Sequence, residues 1–487
     1  MTTPLTPGTT ESTTESAATP VTADRPELDA AHWEARLTEL ARKHGVPGAQ
    51  LGILRLGVDG GDDEVVTTAT GVLHAGTGQP ATADSVFQIG SVSKVWTATV
   101  VMQLVDEGRF ALDTPVIEII PELALRDTEV TKKVTVWHLL THTSGIDGDV
   151  FTDTGRGDDA LGKYVAQLGE AAQNHPIGAT WSYCNSGFSL LGRVIEVVTG
   201  TTWDEAIRER LFAPLGLTHT TTLPEEAMVF AHAMGHLKGG EEPQTAPVWG
   251  LPRSVGPAGL ITSAPADVLA FARMHLTGGL AADGTRVLSE ESVAAMADYQ
   301  TECPEKILLG DSWGLGWFRC DWNGHRAIGH DGNTIGQAAF LRLLPEAGIA
   351  VSLNTNLASA ITLYQELYEE IFSALVDVHL PAPFELPAER AEVDPTPYLG
   401  TYARESVTEE VYLEDGRTWM RTTVSGPVAE ASGAADPEVH ELIPVGDALF
   451  AVKPDKSEAY YPVRFYALPT GEQYVHFGAR ATPKQPA

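Results

Sequence analysis

Cysteine is scarce in this chain: three in 487 residues, Cys184, Cys303 and Cys320. An odd, sparse set builds no disulfide framework and fits a reducing compartment. Basic charge is also short, with 32 Lys and Arg against 65 Asp and Glu, for a net charge of −33. That balance disfavours nucleic acid and anionic membrane surfaces as partners, because their phosphates attract cations. Residues 1–26 are rich in Thr, Ser, Ala and Pro and lack both a basic cluster and an apolar run of seven. They read as a disordered tail, not as a secretion signal or a membrane span, and a cytoplasmic location is the expectation. Two histidine pairs, His138/His142 and His232/His236, have the four-residue spacing of a helical metal site. Neither has the glutamate of H-E-x-x-H, so no metal or cofactor is expected.

What the chain does have is Ser91-Val-Ser-Lys94, its only S-x-x-K. A serine hydroxyl is a poor nucleophile at neutral pH and needs a neighbour to take its proton. On a helix, positions i and i+3 share a face, so Lys94 is placed to do that if burial keeps it partly neutral. Gly90 precedes Ser91 and residues 92–105 read as a mostly apolar helix, which puts the serine at a helix start, where backbone N–H groups face bound anions. Two further motifs follow: Tyr183-Cys-Asn185, the only Y-x-N, and His330-Asp-Gly332. Cys184, inside the second motif, is read as a small apolar residue, since Ser91 already supplies a nucleophile.

The three motifs in this order resemble the active-site signature of the penicillin-recognising serine enzymes. That family comprises class C β-lactamases, D,D-peptidases, D-aminopeptidases and related esterases and acyltransferases. Segments 134–146, 181–192 and 256–263 resemble further blocks of the family, so the likeness spans roughly residues 30–380. It implies an α+β fold in which an antiparallel sheet flanked by helices joins a mostly helical subdomain, with the site in the cleft between them. It makes Ser91 the nucleophile, with Lys94 and Tyr183 sharing the proton transfers and the lysine lowering the phenol's pKa. Asn185 is then expected to hydrogen-bond Lys94 or a substrate carbonyl. His330, with Gly332, should contact the substrate's polar end and tune the tyrosine, while the N–H groups of Ser91 and Asn333 form the oxyanion hole.

The pattern along the chain is compatible. Residues 28–44 have helical periodicity, 50–56 and 65–70 read as a hairpin, 338–344 and 349–354 as two later strands, and 361–376 as a closing helix. A catalytic domain over 27–380 is expected. Prolines mark 381–397 as a linker. Short strand candidates over 398–487 point to a small all-β barrel, resembling weakly the lipocalin-like domain that some family members carry. That unit is expected to wall one side of the cleft and select the acyl acceptor. Arg480, near its end, is placed on the solvated surface in preference to a substrate carboxylate site.

The function implied is a serine acyl hydrolase or acyltransferase acting on an amide, ester or thioester, with a peptide-like or D-amino-acid-containing substrate. One alternative is a penicillin-binding-protein-type thioesterase that releases and cyclises a nonribosomal peptide, with a carrier protein as partner. A second, of another class, is a binding or regulatory protein that keeps the fold without turnover.

Overall fold

The computed structural model describes residues 26–58, 60–239, 242–426, 429, 436–454 and 459–486. Nearly all of the expected tail, residues 1–25, lies outside them. Helix α1 (Ala30–Lys43) begins at Asp29, whose side chain accepts the N–H groups of Ala31 and His32 and caps the first turn. Strands β1 (Gly48–Arg55), β2 (Glu64–His74) and β3 (Gln79–Pro80) follow. Near the end of the helical region come β4 (Thr301–Glu302), β5 (Ser312–Trp313), β6 (Phe318–Trp322), β7 (His325–Asn333), β8 (Ala338–Leu344) and β9 (Ile349–Thr355). These nine form one antiparallel sheet in the order β3-β2-β1-β9-β8-β7-β6-β5-β4. Sequence-distant β1 and β9 thus lie side by side, with Ile53 opposite Val351. Every residue of β1, β8 and β9 is buried, which follows from covering both faces of the sheet. Helix α1 and the long helix Ile361–Val376 cover one face; Leu363, Leu367 and Ile371 of the latter pack with Trp33, Leu37 and Leu40 of the former.

On the other face lies helix α2 (Ser93–Asp106), buried from Ser93 through Leu104. A helix apolar all round belongs at the centre of a domain, and α2 is the hub of the largest hydrophobic cluster. Helix α3 (Asn185–Thr199) packs against it. The regular secondary structure between α2 and β4 is mostly helical, as the family resemblance implies.

Residues 378–395 carry no helix or strand. Beyond them the expected single barrel is replaced by two antiparallel sheets. One holds β10 (Gly400–Arg404), β11 (Val407–Glu414), β12 (Arg417–Val424) and β13 (Glu438–Glu441). The other holds β14 (Ile443–Gly446), β15 (Leu449–Val452), β16 (Tyr461–Ala467), β17 (Gln473–Phe477) and β18 (Arg480–Pro483). Among the described residues no ladder closes them into a ring: a single bridge, Tyr402 to Lys484, links the edges. Tyr402, Met420, Phe450 and Phe465 fill the space between the sheets, so side-chain packing holds the unit together.

Candidate active site

Gly90 takes φ +51°, a left-handed conformation that glycine adopts without steric cost, and turns the chain from strand into α2. Ser91 follows in a single 3-10 turn, partly exposed at the floor of the cleft. Lys94, one turn on, has no exposed surface. Its Nζ lies 3.0 Å from Ser91 Oγ and donates to the Ala258 carbonyl at 2.6 Å. Burial, and after it the positive charge of Arg480, hold Lys94 well below the ordinary lysine range, while Cys184 and Asp149 pull the other way. A serine hydroxyl and an amine disposed toward neutrality therefore stand in contact.

Tyr183 presents its ring 4.8 Å from Lys94 Nζ. The expected lowering of its pKa is not found. Burial pushes the phenol up, and the opposing effects of the Ser91 hydroxyl and Arg480 do not overcome it. Desolvation therefore favours the neutral form of both groups. His330 is buried, with burial and then Lys94 depressing it to about 3. Its Nδ1 lies 2.6 Å from the Asp331 carbonyl, which accepts, so the proton sits there and Nε2 offers a lone pair to the Tyr183 hydroxyl 3.5 Å away. The neutral imidazole faces the tyrosine. Asn185, the first residue of α3, does not donate to Lys94; its Nδ2 donates to Asp149 at 3.3 Å. Cys184 caps α3 by accepting the Gly187 N–H, and burial pushes its thiol up to about 12.

Gly332, on β7, runs against the Ser91 turn. A Cβ there would lie 1.8 Å from the Ile89 carbonyl oxygen and 3.0 Å from the Ser91 nitrogen. The same contact seen from Gly90 puts a Cβ 2.6 Å from the Asn333 nitrogen. Two glycines thus let strand and turn approach until the backbone of Asn333 lies beside the Ser91 turn. Ser91, Tyr183, Asn185, His330 and Asn333 all line one cavity of about 1530 Å³.

The carboxy-terminal unit was expected to wall the cleft, and residues of its last turn do line the cavity, but the place of Arg480 in the site was not foreseen. The β17–β18 turn enters the site: Ala479 accepts the Tyr183 N–H at 3.0 Å, and Ala481 donates to Ser182 Oγ at 3.1 Å. Arg480 is therefore not a surface residue but lines the cavity, its guanidinium 4.8 Å from the Tyr183 ring centroid. It grips buried Asp149 with Nη2 at 2.8 Å and Nε at 3.2 Å, while Arg404 of β10 pairs with the same carboxylate. Burial raises the Asp149 pKa, but the two arginines outweigh it and hold the group at about 2. His142, also missed, stacks on Tyr183 at 4.4 Å and accepts the Cys184 N–H. Nothing in the local sequence marks Asp149 or pairs it with Arg480, since they meet across 331 positions.

Partly exposed Ser91 thus stands against buried Lys94 and Tyr183 in the cleft, and the comparisons show that the chain belongs to the β-lactamase family, whose description matches residues 33–375. It is a serine hydrolase of that family. It is 48% identical over 381 residues to penicillin-binding protein 4 of Amycolatopsis lactamdurans, covering 78% of this chain and 98% of the relative. Among solved structures, SurE with D-Leu superposes at a TM-score of 0.74 with 28% identity, covering 94% of this chain and 99% of that one. The D-amino acid amidase of Ochrobactrum anthropi SV3 shares the fold at a TM-score of 0.59 and 21% identity, over 71% of this chain and 98% of its own.

Proposed function

We propose that this enzyme transfers acyl groups of peptide-like substrates carrying a D-configured residue, through an ester on Ser91. The observation that carries the reading is the fully buried Lys94 in contact with Ser91 Oγ. Neutral Lys94 takes the Ser91 proton as Oγ bonds to the substrate carbonyl carbon, and the resulting oxyanion sits between the N–H groups of Ser91 and Asn333. As the bond to the leaving group breaks, Tyr183 gives that group its proton and regains one from the lysine. Water or an amine then attacks the ester and returns a proton by the same route. The D-residue rests on the likeness to SurE, which was solved with D-Leu, and on the penicillin-binding relative.

The cavity volume favours a substrate of several residues over a small ester. It supports a second reading, in which the acceptor is the amine of the same peptide and the product is cyclic. The three free thiols accord with a cytoplasmic setting for either reaction. The test is labelling with fluorescent penicillin and a fluorophosphonate, with Ser91→Ala as control, followed by mass analysis of products from D- and L-terminated peptide thioesters. No adduct on the wild type refutes acyl transfer; equal rates for the two configurations refute the D-preference. Linear acid alone as product refutes cyclisation.

A further inference from the structure

One carboxylate and two guanidinium groups meet under the catalytic tyrosine. Asp149 is buried, and Arg480 and Arg404 reach it from different sheets of the carboxy-terminal unit. With Asp149 ionised, the cluster keeps one net positive charge. Three of the five N–H donors of Arg480 are engaged, one on each nitrogen: Nε and Nη2 on Asp149, and Nη1 on the Gly478 carbonyl at 3.1 Å. A guanidinium committed in this way makes a poor clamp for a substrate carboxylate, yet its charge stays in place. Lys94 Nζ and the Arg480 guanidinium each lie 4.8 Å from the centroid of the Tyr183 ring, so they are separated by no more than twice that distance.

We infer that Arg480 is a positioning residue that acts through Lys94, a fixed positive charge delivered by the carboxy-terminal sheets that keeps the lysine deprotonated and ties acylation to the docking of those sheets. The inference rests on the acyl-serine reading above. Other groups face Lys94 as well. Asp149 and Cys184 oppose the effect, the neutral rings of His142 and His330 pack around Tyr183, and Arg342 is paired with Asp331 at 2.5 Å behind β7. Buried Glu409 of β11, near Arg404, is pushed up to about 7 and so is largely uncharged below neutrality. Arg480 is the cation that these groups leave acting on Lys94, and its effect on the lysine is second only to burial. A unit charge within about 10 Å, at an effective dielectric constant of about 20, displaces a neighbouring pKa by roughly one unit.

The test is the pH profile of Ser91 labelling by fluorescent penicillin, measured on the full chain alongside thermal melting. Labelling needs neutral Lys94, so its rate rises with pH through the lysine's midpoint. Arg480→Gln should move that midpoint up by about one unit, label roughly tenfold more slowly on the acidic side, and converge with the wild type at high pH. Arg480→Lys should keep the wild-type midpoint. A folded Arg480→Gln with an unmoved midpoint overturns the inference, as does a loss of labelling that is equal at every pH. If both Arg480 variants melt early, Arg404→Gln decides. It leaves Asp149 to neutralise Arg480 alone and should move the midpoint the same way; an unchanged midpoint there refutes the charge effect. Absence of Ser91 labelling in the wild type would instead fail the acyl-serine reading, so the two failures remain distinct.

Discussion

Gly332→Ala tests whether the close approach of β7 to the Ser91 turn is catalytic. The added methyl would sit 1.8 Å from the Ile89 carbonyl oxygen, against an ordinary non-bonded contact of ~3.5 Å. Strand and turn must therefore separate by on the order of 1.5 Å. Overpacking of this kind costs about 1–3 kcal/mol of stability, which a domain with such extensive cores tolerates. The catalytic cost is larger. Widening the gap moves the Asn333 N–H away from the oxyanion, and loss of one such donor slows the chemical step by about 10²- to 10³-fold, or ~3–4 kcal/mol in the barrier. The assay is the single-turnover acylation rate with a chromogenic ester, compared with circular dichroism and the melting temperature. Gly446→Ala is the control, since a Cβ there meets nothing within 4 Å. A folded Gly332→Ala enzyme that acylates at the wild-type rate would falsify the oxyanion assignment.

Lys94→Ala and Tyr183→Phe should each slow acylation severely, and the double variant should lose less than the product of the two, because the groups handle the same proton; multiplicative losses in a kinetic double-mutant cycle refute the shared role. Truncation before Tyr398 is expected to slow Ser91 labelling at neutral pH even with a small ester, since it removes Arg480 and the backbone bond to Tyr183; a stable truncated protein labelling at full rate counts against any role of these sheets in the chemistry. Acid should destabilise the fold. Burial holds His175 at about 4 and His275, His330 and His476 at about 3, below the unfolded histidine value. Their contribution is therefore complete above about pH 6.5 and is lost as pH falls toward the folded values, by about 1.4 kcal/mol per pH unit for each histidine. Urea unfolding at pH 7.5 and 5.5 should show a lower midpoint at the lower pH; an equal or higher midpoint contradicts the neutral, buried histidines.

Local chemistry made much of this protein legible in its sequence. Ser91 and Lys94 lie one helical turn apart, so their contact is built into the backbone of one short segment. The hairpin, the closing helix and the later strands follow from apolar periodicity, which each segment carries within itself. The motif order that pointed to the β-lactamase family is likewise a property of the string. What only tertiary structure decided is the electrostatics. Tyr183 was expected to be pulled down by its lysine, but its pKa depends on how much water the whole fold excludes, and burial won. Asn185 donates to Asp149, a carboxylate brought in from a different loop, and not to Lys94. Arg480 looked like one more surface cation until the β17–β18 turn brought it to Asp149 across 331 residues. Charge interactions and desolvation act through space and depend on everything that surrounds a group. A spacing within one helix can therefore be read from the sequence, whereas the protonation state that spacing serves is fixed only when distant segments close around it.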